Sequence, residues 1–205
     1  MAYFDASLPE DLIDSLWEDP AAVLSRGEKL QFKGVRHTVR LSWQSQPLVL
    51  KHYVEPSRRH ALKQLVLSSR AWKTWAFSQR LADFGVATPR PVACIENRWG
   101  ALRRDSYLMY PYVEGKTLHH YFAGEAKQSP ALHERLWQQL NEVWQQLIEL
   151  RASLEDTNVG NFIICPAGRL WLIDLDKSRF HTNPNTAAAH QERAWKKLLR
   201  SAAKC

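Results

Sequence analysis

An α+β fold in two parts is predicted by three observations. Short apolar stretches punctuated by turn residues fill much of the first half, a long stretch from Ser57 to Phe84 has no Pro or Gly, and Leu132–Leu150 is strongly amphipathic. Together they predict a five-stranded antiparallel sheet carrying one long inserted helix, followed by a smaller, mainly helical part. With 205 residues, 45% of them hydrophobic and 24% charged, the chain suits one domain or two small lobes sharing a cleft and can bury a real core. The expected division is a helical extension over 1–28, a sheet-bearing lobe over 29–113 and a reduced helical lobe over 114–205.

The elements follow in order. Residues 9–25 read as one or two short helices, with Leu12, Ile13, Leu16 and Trp17 on one face and Pro20 interrupting them. Strands are expected at 30–32, 37–43 and 47–54, with hairpin-sized separators at Lys33–Arg36 and Gln44–Gln46. The stretch from Ser57 reads as one helix, or as two joined near Ser68 and Ser69, ending at Gly85. Pro89 and Pro91 force an extended segment, and strands at 92–97 and 105–113 complete the sheet. In the second part Leu136, Leu140, Val143, Leu147 and Ile148 recur at helical spacing. Asn161–Cys165 and Arg169–Asp174 flank the turn Pro166–Gly168 as a hairpin, and Thr186–Ala203 reads as a final helix.

Composition narrows the function. No apolar run approaches the roughly 18 residues of a membrane-spanning helix, and the first residues lack the basic-then-apolar order of a secretory signal, so a cytoplasmic protein is expected. Cys94, Cys165 and Cys205 are odd in number and widely spaced, which fits neither a disulfide framework nor a zinc site. A net charge of +7 and a pI near 9.5 favour an anionic partner. The positive charge concentrates in Arg58, Arg59, Lys63, Arg70, Lys73 and Arg80, and again in Arg193, Lys196, Lys197 and Arg200. Each group reads equally well as a solvated helix face.

Chemistry is concentrated in Leu154–Asp176, LEDTNVGNFIICPAGRLWLIDLD. Kinases that transfer phosphoryl groups place a catalytic-loop Asp five residues before a metal-binding Asn, and a second metal-binding Asp after the next hairpin. Asp156, Asn161 and Asp174 fill those places in order. Asp156 is the candidate catalytic residue that orients or deprotonates the attacking hydroxyl, and Asn161 and Asp174 are the candidate Mg²⁺ ligands, brought side by side by hairpin pairing. Each residue alone is an ordinary turn former; the ordered set after a long amphipathic helix is what points to chemistry. Upstream, Lys51 lies on the third strand, where a kinase holds the α and β phosphates of ATP, and Gly34 is the one glycine available to a phosphate loop.

The segments SRAWKTWAFSQRLADFGVATPRPVA, YLMYPYVEG, DTNVGNF and LIDLDKSRF resemble the lipopolysaccharide kinase family, which includes heptose and Kdo kinases of the Gram-negative core. The similarity runs from about Lys29 to Phe180. It implies a protein-kinase-like bilobal fold, with ATP and Mg²⁺ as cofactors and a sugar hydroxyl of a glycolipid or other phosphorylated sugar as acceptor. It also implies Lys51 on the phosphates, Asp156 as base, Asn161 and Asp174 on metal, and the Pro111 carbonyl and Val113 N–H as adenine contacts after Tyr110. The chain departs from the kinase pattern in three places. Leu154 stands where His is usual, no acidic residue lies between Pro56 and Ala82 to pair with Lys51, and the glycine loop is sparse.

These features lead to an ATP-dependent kinase of a lipopolysaccharide-core sugar, with peripheral contact to the anionic inner membrane face through the basic helices. The departures favour an alternative, a pseudokinase that scaffolds envelope maintenance. Nucleic acid, suggested by pI and by Trp72 and Trp75 among basic residues, is set aside because their spacing suits a core or lobe interface better.

Overall fold

The computed structural model describes residues 1–33, 36–54, 68–99, 102–124 and 129–205. Gly34, Glu55, Arg58, Arg59 and Lys63 lie outside the described residues. The chain divides into two compact units, Met1–Ala76 with Arg90–Tyr112, and Phe77–Pro89 with Val113–Cys205.

The first unit contains β1 (Ala2–Phe4), α1 (Glu10–Glu18), α2 (Pro20–Ser25), β2 (Glu28–Lys33), β3 (Arg36–Trp43), β4 (Gln46–Tyr53), β5 (Ala93–Trp99) and β6 (Leu102–Pro111). Its strands form one antiparallel sheet in the order β1-β5-β6-β4-β3-β2. Five strands were expected, and the described residues show six. The addition is β1, which pairs Ala2 with Ile95 and Phe4 with Ala93 at the sheet edge; three residues are too few to show a strand period.

Period-two alternation sorts the sheet into two faces. Val39, Leu41, Leu48, Leu50, Tyr107 and Met109 pack with Leu12 and Leu16 of α1 and Val23 of α2. On the other face Tyr53, Cys94, Leu108 and Tyr110 pack with Ala71, Trp72 and Trp75. The two tryptophans stack at 4.7 Å, and Trp75 also meets Tyr3 at 5.0 Å, so both rings are partly committed to packing.

Two local devices hold this unit's connections. The β3–β4 turn has φ of 46° at Gln44 and 67° at Ser45, the left-handed pair of a two-residue hairpin turn, without the usual Asn or Gly. Asp11 of α1 accepts from Gln44 Nε2 at 3.1 Å and Trp43 Nε1 at 3.0 Å, tying the turn down. The helix α3 (Arg70–Asp83) begins just after Ser68 and Ser69. Ser69 Oγ accepts from Trp72 N at 3.0 Å, and buried Glu96 of β5 accepts from Ser69 N at 3.2 Å. A capping box normally draws this carboxylate from the helix's own third residue; here a strand supplies it.

The second unit takes over α3 from Phe77. The helix ends at Gly85 as expected. Val86 N reaches Leu81 O at 3.1 Å, Gly85 N reaches Ala82 O at 3.1 Å, and Gly85 adopts φ 82°, the geometry of a Schellman stop. There follow β7 (Lys116–Thr117), α4 (Leu118–Gly124), α5 (Pro130–Glu149), β8 (Ala152–Leu154), a 3₁₀ turn at Val159–Asn161, β9 (Phe162–Ile164), β10 (Leu170–Leu172), β11 (Ser178–Phe180) and α6 (Pro184–Ala202).

The apolar stripe of α5 puts Leu136, Leu140, Val143, Trp144 and Leu147 into one core with Leu118, Phe162, Leu172, Leu175, Ala194 and Leu198. Ile148, read from sequence as part of that stripe, is 42% exposed: it lies one position round from Leu147 and falls off the buried face. The expected hairpin forms from β9 and β10, and β7 joins it through Lys116 opposite Ile164. A second small ladder, not foreseen, pairs β8 with β11.

Candidate active site

Asp156, Asn161 and Asp174 all lie in the second unit, on segments that the hairpin and the β8–β11 ladder hold in place. Asn161 ends the 3₁₀ turn, and its Nδ2 donates to the Asp156 carbonyl at 2.7 Å. Asn158 Nδ2 donates to Asn161 Oδ1 at 3.1 Å, which fixes the orientation of the amide and leaves that oxygen a second lone pair. The β9–β10 pairing continues one step further, with Ile173 N on Asn161 O at 2.8 Å, so Asp174 follows immediately after the residue bonded to Asn161. Asp174 is exposed at φ 59°, a left-handed conformation that Asp tolerates better than most residues. Leu175, buried beside it, anchors the turn in the core.

An amide oxygen and a carboxylate oxygen are hard donors of the kind Mg²⁺ prefers, and that ion normally completes its shell with water and phosphate oxygens. Among the described residues no three His, Cys, Asp or Glu side chains gather as a metal site. Asn161 and Asp174 are donors of the type that would hold Mg²⁺ with phosphate and water oxygens supplying the rest of its shell.

Asp156 is half exposed and meets two lysines. Lys177 Nζ lies 3.0 Å from Oδ2 and Lys197 Nζ 3.3 Å from Oδ1. The hydrogen bond from Lys177, aided by Lys197, outweighs desolvation and holds the Asp156 carboxyl below the usual carboxylate range. It is therefore ionised at neutral pH. Exposed pairs of this kind contribute roughly 1 kcal/mol or less each to stability, so their interest is chemical.

The last helix runs along the loop that carries Asp156. Gln191 Nε2 donates to Ala152 O at 2.9 Å, Lys197 Nζ to Glu155 O at 3.1 Å, and Ser201 Oγ accepts from Val159 N at 3.3 Å. Thr157 Oγ1 closes the loop on Leu154 O at 2.6 Å. Leu154 is buried in the core and pairs with Ser178. Where a catalytic-loop His would help fix the loop, α6 and Thr157 make the fixing contacts.

In the first unit, Lys51 is half-buried on β4, opposite Leu108 and Thr38, with Nζ 5.8 Å from the Tyr110 ring centroid. Alternation places it on the sheet face that α3 covers. Pro111 ends β6, and Tyr112 N donates to Pro47 O at 2.9 Å; Val113 begins the second segment of the second unit.

The model of the lipopolysaccharide kinase (Kdo/WaaP) family matches residues 14–204. The chain belongs to that family. No curated protein sequence matches it. A solved structure described as WaaP in complex with acyl carrier protein is similar, with a TM-score of 0.71 and 18% identity over 98% of this chain and 81% of that one. At that identity the likeness establishes the fold, which is protein-kinase-like. For this member of the lipopolysaccharide kinase family, kinase chemistry is thus the frame within which Asp156, Asn161 and Asp174 are read.

Sequence reasoning missed Lys177, Gln191, Ser201 and the specific role of Lys197. Lys197 was visible only as part of a basic group near the end of the chain. Within that group Lys196 pairs with Glu192 and Arg193 bonds to Ala189 O, while Lys197 alone reaches the Asp156 loop. For Glu96 the sequence carried no signal, because its partner Ser69 lies 27 residues away.

Proposed function

We propose that this chain is an ATP-dependent kinase that phosphorylates a sugar hydroxyl of the lipopolysaccharide core. The observation carrying this reading is the arrangement of Asp156, Asn161 and Asp174. An ionised carboxylate shares one short loop with an amide that bonds to its backbone at 2.7 Å, and the hairpin brings the chain to Asp174 one residue beyond the Ile173 N–Asn161 O bond. Family membership over residues 14–204 supports it.

Phosphoryl transfer asks little covalent work of the protein; it needs the acceptor hydroxyl held in line with the γ-phosphate and the phosphate charge neutralised. Asp156 would accept a hydrogen bond from the acceptor hydroxyl and take its proton as the bond to phosphorus forms. Asn161 and Asp174 would hold Mg²⁺, which when bound supplies charge neutralisation at the phosphate oxygens. Lys51 would hold the α and β phosphates, with the Pro111 carbonyl and Val113 N–H meeting adenine.

The lack of an acidic residue in α3 before Asp83 does not leave the sheet face beneath it without a carboxylate. Glu96 occupies that face, two positions along β5 from Cys94, and is held ionised: burial pushes its carboxyl up, but Ser69 and Arg98 outweigh that and bring it below its ordinary value. Transfer of phosphate from ATP to heptose-bearing or Kdo-bearing core oligosaccharides tests the function. Inactivity across such acceptors, with the protein folded and Mg²⁺ present, would count against it.

A further inference from the structure

Asp156 carries one negative charge and is met by two ammonium groups, from Lys177 at 3.0 Å and Lys197 at 3.3 Å. The lysines come from different elements, one just before β11 and one in α6, and are 47% and 53% exposed. Nearby, Glu155 pairs with Arg179, and Lys196 with Glu192. The Asp156 carboxylate and its two ammonium partners therefore carry one positive charge in excess.

A hydroxyl oriented by Asp156 would share the carboxylate with the two lysines, because each oxygen accepts from one of them and keeps a second lone pair. Both ammonium groups then stand beside the acceptor. A neutral sugar offers them no counter-charge, whereas a phosphate next to the hydroxyl does. Two independent lysine stems present point charges at adjustable separation, which suits the tetrahedral oxygens of phosphate.

We infer that Lys177 and Lys197 form a two-ammonium subsite for a phosphate group carried by the acceptor beside the hydroxyl that Asp156 orients. The acceptor role rests on the kinase reading above; the anion site itself does not.

The test is calorimetric titration of the full chain with inorganic phosphate, with and without a saturating non-hydrolysable ATP analogue and Mg²⁺. Wild-type protein is expected to bind phosphate. Lys177→Met/Lys197→Met should weaken binding at least tenfold, and Lys177→Arg/Lys197→Arg should restore most of it. Asp156→Asn, which removes the competing carboxylate with little change in shape, should tighten binding by roughly tenfold, the scale of one charge interaction at about 6 Å in a partly wet site.

Phosphate should still bind when the nucleotide analogue is present. Unchanged binding in the double Met variant, or no tightening in Asp156→Asn, would overturn the subsite. Competition between phosphate and the analogue would assign the lysines to the γ-phosphate and overturn the acceptor role. Failure of the analogue to bind at all would overturn the kinase reading, and the acceptor role with it. Wild-type protein that binds the nucleotide analogue but no phosphate would sink the subsite alone.

Discussion

Lys197 in the last helix donates to Asp156, 41 residues earlier, at 3.3 Å, while Ser201 one turn further on accepts from Val159. A helix that sequence reading treats as a terminal, basic element is therefore a support for the loop carrying the candidate catalytic carboxylate.

Glu96 should be the most costly single charge to remove from the first unit. It is 3% exposed and satisfies the N–H that starts α3. Glu96→Ala should destabilise the protein by roughly 1–3 kcal/mol, the cost of stranding a buried donor. Its folded carboxyl lies below its ordinary value of 4.5, so its contribution is full above that pH and is lost as pH falls through the lower folded value. Chemical denaturation of both proteins at pH 7 and pH 3.5 checks this; the gap should narrow at the lower pH.

Gly115→Ala should be similarly damaging for a steric reason. Gly115 has φ 148°, and an added Cβ would sit 2.2 Å from Ile164 O, where β7 pairs with β9. A loss of roughly 1–3 kcal/mol is expected. Thermal melting of the variant would show it as a lowered Tm.

Thiol titration should distinguish the three cysteines. Cys94 is buried, and burial pushes its thiol up to about 12, aided by nearby Glu96. Cys165 and Cys205 are partly accessible. At pH 8 a thiol-reactive chromogen should modify two sulfhydryls in the native protein and the third only after denaturation, because the thiolate is the reactive form.

Lys51→Met should weaken binding of Mg-ATP at least tenfold while leaving Tm within a few degrees, since the side chain is half-buried and its stem is retained. Equilibrium binding of a fluorescent ATP analogue measures the first effect and thermal melting the second.

What was legible in the sequence was what its neighbours along the chain determine. The α5 stripe, the Gly85 stop, the β3–β4 and β9–β10 hairpins and the Asp156–Asn161 spacing are all set by residues a few positions apart. β1, β7, β8 and β11 are two or three residues long and exist only because a partner strand lies alongside them, so no periodicity could reveal them. Glu96 at the start of α3 and Lys177 and Lys197 at Asp156 join segments 21 to 41 residues apart, and such pairings are set by tertiary packing. Among the described residues no helix is long and apolar enough to cross a membrane, in keeping with the reading of the apolar runs.

The most direct test of the account is transfer of labelled phosphate from ATP to lipopolysaccharide-core acceptors by wild-type protein and Asp156→Ala. The pairs lost in the variant are exposed, so it should fold with nearly wild-type Tm. Mg²⁺-dependent labelling of a core sugar by wild type, reduced at least a hundredfold in the variant, is the predicted result. Equal labelling by both proteins would contradict the account.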